Sequence, residues 1–97
     1  MQTTINVELF SAPTNNAVIR MPGRRYPGVL IQGDTLASLL DIAREIEALV
    51  DLESGSQLAD RVVDLRKRLE STVSWYEERM IDAGLTLPYK KNGSETG

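Results

Sequence analysis

Three arginines and a tyrosine crowd one short stretch of this sequence. Arg20, Arg24, Arg25 and Tyr26 stand there with Gln32 a few residues on, and two Pro-Gly pairs, Pro22-Gly23 and Pro27-Gly28, frame the inner three. Guanidinium forks match phosphate or carboxylate with two parallel hydrogen bonds, and an aromatic face can stack a base or another guanidinium. Proline presets φ for the first central position of a type II turn, and glycine tolerates the positive φ of the second. The spacing therefore predicts a stiff, two-cornered connection that displays Arg24, Arg25 and Tyr26 as an anion pocket, with Arg20 and Gln32 beside it. The competing reading is that the arginines are solvated or pair with the carboxylates further along the chain.

Other chemistry is limited by composition. Of 97 residues none is His and none is Cys. The usual general base, the imidazole metal ligand, the thiolate nucleophile and the disulfide are all missing. Asp41, Glu45 and Glu47, then Asp60, Asp64, Glu77, Glu78 and Asp82, supply carboxylates that in principle could pair for acid–base work or hold Mg²⁺. Nearly all alternate with apolar positions, as the solvated faces of amphipathic helices do, and no EF-hand or P-loop spacing is present. The run Arg66-Lys67-Arg68 reads likewise as a solvated face balanced by Asp64 and Glu70. The expectation is a protein that is not an enzyme, with no catalytic residues, no cofactor and no metal.

The elements that must position the arginines follow from hydrophobic periodicity. Thr3–Phe10 alternates, Ala17–Met21 is a second short strand and Val29–Gln32 a third, with turn residues Ser11–Asn16 after the first. Asp34 suits a helix N-cap, where its carboxylate meets free N–H groups and the positive end of the dipole. As an N-cap it also discourages a phosphate at that helix start, so its functional role is to orient Arg24 or Arg25. Gly33 beside it permits close backbone approach. Leu36, Leu39, Leu40, Ala43, Ile46 and Val50 predict a first helix from about Thr35 to Leu52. Leu58, Val62, Leu65, Leu69, Val73, Tyr76 and Met80 predict a second, from Ser56 or Gln57 to a C-cap at Gly84. A helix of that length measures roughly 42 Å, longer than a domain of this size is wide, so it must break or project. The expected fold is α+β: a three-stranded, mainly antiparallel β-meander followed by a two-helix hairpin packed on one face, in a single domain over 1–91 with a disordered tail at 92–97. Val73, Trp75, Tyr76 and Met80 exceed what such a monomer can cover, which predicts a homo-oligomer with these residues at the interface. Leu87-Pro88-Tyr89 is expected to fold back over the sheet or a partner chain.

The net charge of −3 conceals an uneven distribution. Up to Gly33, Arg20, Arg24 and Arg25 face only Glu8, whereas Asp34–Ala83 holds six basic and twelve acidic residues. A compact basic loop on an acidic chain is not the broad positive face of a duplex nucleic-acid binder. No apolar run approaches the roughly 20 residues that span a bilayer and no export signal opens the sequence, so no membrane partner and a cytoplasmic location are expected.

The run Met21-Pro22-Gly23-Arg24-Arg25-Tyr26-Pro27-Gly28-Val29-Leu30-Ile31-Gln32-Gly33-Asp34, with Asn16-Ala17-Val18 before it and Trp75-Tyr76-Glu77 and Leu87-Pro88-Tyr89 after it, resembles a family of small, uncharacterised bacterial proteins. The resemblance covers about Glu8 to Tyr89. Tyr26 stands where that family is expected to carry Phe. The resemblance implies no catalytic residues and no established activity. Two functions remain. One is a small sequestering protein that captures an anionic, nucleotide-like molecule with its arginine loop, serving bacterial or phage defence or counter-defence. The other is an inhibitor of the immunity-protein or antitoxin kind, whose acidic helices cover a basic toxin and whose charge speeds association.

Overall fold

The computed structural model describes residues 2–50 and 55–90. The chain divides into two compact units, Met1–Gln32 and Gly33–Gly97. The architecture is α+β, a three-stranded antiparallel sheet followed in sequence by two helices. The tail 92–97 and Leu52, the expected end of the first helix, lie outside the described residues.

In the first unit β1 is Glu8–Leu9, β2 is Val18–Arg20 and β3 is Gly28–Val29, in the meander order β1-β2-β3. Glu8 pairs with Arg20 and Leu9 with Ile19 on one side of β2; Val18 pairs with Val29 and Ile19 with Gly28 on the other. Further bonds extend the ladder, from Phe10 N–H to the Val18 carbonyl and from Leu30 N–H to the Ala17 carbonyl, each 2.8 Å. All three strands are shorter than their alternation suggests. The central strand sets the limit: Pro22 has no N–H to donate and turns the chain away after Met21, so β2 offers nothing for Thr3–Val7 to pair with. Between β1 and β2, the Ser11 hydroxyl accepts the Val18 N–H at 2.9 Å and Asn16 adopts φ 64°, a left-handed conformation that Asn tolerates.

In the second unit α1 is Gly33–Leu49 and α2 is Gln57–Asp82. The two helices pack on each other, with Leu40 and Ala43 of α1 and Ala59, Val62 and Val73 of α2 buried. The ion pairs Glu47–Arg66 and Arg44–Glu70 connect rising positions on one helix to falling positions on the other, so the hairpin is antiparallel. Asp34 is not the N-cap. The helix begins ahead of it at Gly33, and the Asp34 carboxylate sits in the first turn, accepting the Thr35 N–H at 2.8 Å. Gly33 owes its place to a side chain, not to a ligand: a Cβ there would fall 2.0 Å from Tyr76 Cζ. Only glycine lets the start of α1 lie flush on that ring.

The 26 residues of α2 form one unbroken helix. At its start the Ser56 hydroxyl accepts the Ala59 N–H at 3.0 Å. At its end Ala83 is the C-cap, and Gly84 follows at φ 74°. Gly84 N–H donates to the Ile81 carbonyl and Leu85 N–H to the Met80 carbonyl, the paired bonds of a Schellman motif. Since Gly33 lies on Tyr76, the last turn and a half of α2 runs beyond the start of α1.

Candidate functional site

The arginine stretch starts from a single well-made corner. Met21-Pro22-Gly23-Arg24 is a β-turn closed by the Arg24 N–H to Met21 carbonyl bond at 3.1 Å, with Gly23 at φ 81°, as a type II turn requires. The second Pro-Gly pair does not make the matching corner. Gly28 has no positive φ and belongs to β3, paired with Ile19, so Pro27 is the entry to a strand. Met21, Pro22, Arg24, Tyr26 and Pro27 line a shallow concavity floored by Ile19 and Val29.

The arginines divide by role. Arg20 lies directly across the sheet from Glu8 and its guanidinium bonds that carboxylate, which holds the Glu8 carboxyl below its ordinary value. The same guanidinium sits 5.4 Å from the centre of the Phe10 ring and donates to the Arg25 carbonyl at 3.3 Å. Arg20 is therefore a strut that fixes the loop. Arg24 and Arg25 have no carboxylate partner within the sheet unit. Arg25 stacks over the Tyr26 ring at 5.3 Å, and that ring is 71% exposed. Gln32 closes the sheet unit and does not line the concavity. Asp34, expected beside Arg24 or Arg25, belongs to the helical unit. The Glu8 partnership with Arg20 is set by the hairpin register, which the sequence pattern leaves open.

The helical unit carries a second concavity of about 330 Å³, lined by Asp34, Ser38, Asp41 and Arg44 of α1, Glu70, Ser74 and Glu77 of α2, and Tyr89 and Lys90. Ion pairs between the helices lie in and beside it. Arg44 bonds Glu70 at 3.0 Å; Arg66 bonds Glu47 through two nitrogens, at 2.8 and 3.3 Å, and Glu70 at 3.0 Å. Arg66 holds the Glu47 carboxyl below its ordinary value, and Arg44, aided by Arg66, does so for Glu70. Arg66 is thus a clamp between the helices, not part of a solvated face, whereas Arg68 is exposed and pairs with Asp64 one turn away. Leu87-Pro88-Tyr89 folds back onto the helices. The Tyr89 hydroxyl donates to Glu77 at 2.8 Å, and Glu77 is 8% exposed. Burial first, and then the bond to Glu77, push the Tyr89 phenol well above its ordinary value of 10.0. Glu77 follows Val73 by one turn on the α1-facing side of α2, a phase that marks it as inward-facing. Among the described residues no group of three or more acidic side chains is placed to hold a metal.

The residues expected at an oligomer interface separate. Val73 is 5% exposed, in the core between the helices; Tyr76 lies against Gly33; Met80 is half-buried. Only Trp75 faces outward, at 61%, with Arg79 over its ring at 4.6 Å. Val73 and Tyr76 lie on the seam with α1, which is why they turn inward, and Met80 lies in the stretch of α2 beyond the start of α1. Among the described residues no helix is long and apolar enough to cross a membrane.

These features define a small α+β protein in which Arg24 and Arg25 are exposed at and just after a β-turn. Residues 2–89 match the Family of unknown function (DUF6959), and the chain belongs to that family. No curated protein and no solved structure matches it.

Proposed function

We propose that the chain is a non-enzymatic binding protein that captures an anionic ligand bearing phosphate and an aromatic ring, gripped by Arg24 and Arg25 with Tyr26 as the stacking surface. One observation carries this reading: Arg24 closes a type II turn, Arg25 follows it directly, and among the described residues neither has a carboxylate partner in their own unit. Arg20 supports it, because its bonds to Glu8 and to the Arg25 carbonyl stiffen the loop and reduce the ordering cost of binding. The turn and the residues after it offer cations and a ring, groups that hold an anion. Capture without turnover suits a sequestering role in bacterial or phage defence or counter-defence, in the cytoplasm. Capture of a basic toxin by the acidic helices has less support, since Glu47, Glu70, Asp64 and Asp82 already pair with arginines of the same unit.

A thermal-shift screen of the full chain against nucleotides, cyclic nucleotides and inorganic phosphate, repeated at rising salt, tests the reading. A ligand at one hundredfold its Kd stabilises by about 2.7 kcal/mol, which raises the midpoint of a chain this size by on the order of 10 °C. Arg24→Ala/Arg25→Ala is expected to abolish that shift while leaving the unliganded midpoint in place. No shift with any of these anions contradicts the proposal.

A further inference from the structure

The helix pair has a polar face and an apolar one. On α1, Leu39, Ile42, Ile46 and Leu49 recur at intervals of three, four and three residues, so they form one stripe. All four are exposed, Leu49 at 87%. At about 100° per residue this stripe lies on the side of α1 turned away from Asp34, Asp41 and Arg44, which line the polar concavity. On α2, Leu58 and Leu65 are exposed one above the other, with Trp75 exposed about 80° further round the helix, and all three are turned away from Glu70, Ser74 and Glu77 by the same count. Two antiparallel helices that share the concavity on one face must share these stripes on the other.

The geometry points to a second copy of this chain as the occupant of that face, with α1 of each copy laid on α2 of the other in a four-helix arrangement. The charges choose this pairing. Beside the α1 stripe stands Glu45, which has no ion-pair partner among the described residues; beside the α2 seam stands Arg68, whose own pair with Asp64 is exposed. Glu47 lies level with Arg66 and Arg44 level with Glu70 within one chain. A two-fold axis parallel to the helices keeps those levels, and so brings Glu45 of one copy level with Arg68 of the second and Leu49 level with Leu65. Laying α1 on α1 instead would bring Glu45 close to its own image, like charge against like. The 17 residues of α1 make the face about 25 Å long and the two helices make it about 20 Å wide. That gives on the order of 1,000 Å² buried in total, at the lower edge of specific interfaces, as befits a reversible dimer. None of these residues belongs to the Arg24–Arg25 turn, so this proposal and the ligand reading fail independently.

Sedimentation of the full chain across a range reaching high micromolar concentration tests it. The wild type is expected to reach twice the 10.8 kDa mass of one chain. Ile46→Glu is expected to weaken the dimer at least tenfold with unchanged helical circular dichroism. Arg68→Glu is expected to weaken it as well, and Glu45→Arg with Arg68→Glu to restore it. A wild type that stays monomeric overturns the proposal, as does a dimer indifferent to Ile46→Glu. Failure of the charge exchange to restore what Arg68→Glu removes overturns the α1-on-α2 arrangement. The Glu45 and Arg68 variants are exposed surface changes, so they report on association even if Ile46→Glu disturbs folding.

Discussion

At the residue scale the chain keeps two kinds of charge. Arg20, Arg44 and Arg66 hold elements together, and their carboxylate partners sit at the positions that register or helix pairing dictates. Arg24 and Arg25 hold nothing comparable. Tyr89 belongs with the first kind, since its hydroxyl ties the end of the chain to Glu77. Because the folded phenol is held above its ordinary value, Tyr89 contributes stability that is complete below pH 10.0 and is lost as the pH rises, when the unfolded phenol ionises and the folded one does not. The phenolate absorbance of the wild type minus that of Tyr89→Phe is expected to show a step arriving only as helical circular dichroism is lost. A difference step near pH 10 with the helices intact would contradict this. Tyr89→Phe should also cost about 1–2 kcal/mol at neutral pH in urea unfolding, because Glu77 loses a donor in a buried place.

The elements differ in how much of them local sequence decides. α2 follows its own signals at its ends: Ser56 and Gly84 bound it where capping chemistry says they should, while of its predicted apolar seam Val62 and Val73 are buried and Leu58 and Leu65 are exposed. Ser56→Ala and Gly84→Ala are each expected to lower stability by about 1 kcal/mol, the first through a lost N-cap and the second through a left-handed φ that a Cβ resists. Urea midpoints unchanged by both would mean that the ends of α2 are set by packing alone. α1 departs from its signal, because Gly33 against Tyr76 is a contact between residues far apart in sequence and no local pattern announces it. The strands depart furthest. Alternation in Thr3–Phe10 describes a segment able to pair, but pairing needs a partner of equal length, and Pro22 ends that partner early.

Across the whole molecule, the order of elements and the antiparallel meander were legible in periodicity and turn residues, and so was the arginine stretch as the place to look for a ligand. The division of labour within that stretch was not. It depends on which arginine lies across from Glu8, a matter of hairpin register that the residue pattern alone leaves open. Trp75 was legible as an outward aromatic; the inward turn of Val73 was not, since a seam between two helices of one chain and a seam between two chains carry the same spacing. The central claim, that Arg24 and Arg25 are held ready for an anion, is tested most directly by following backbone amide resonances of the full chain while a nucleoside triphosphate is added at low salt. The account predicts saturable shifts at Gly23, Arg24, Arg25 and Tyr26 that vanish in Arg24→Ala/Arg25→Ala. Shifts confined to the helices, or none at the turn up to millimolar ligand, would contradict it.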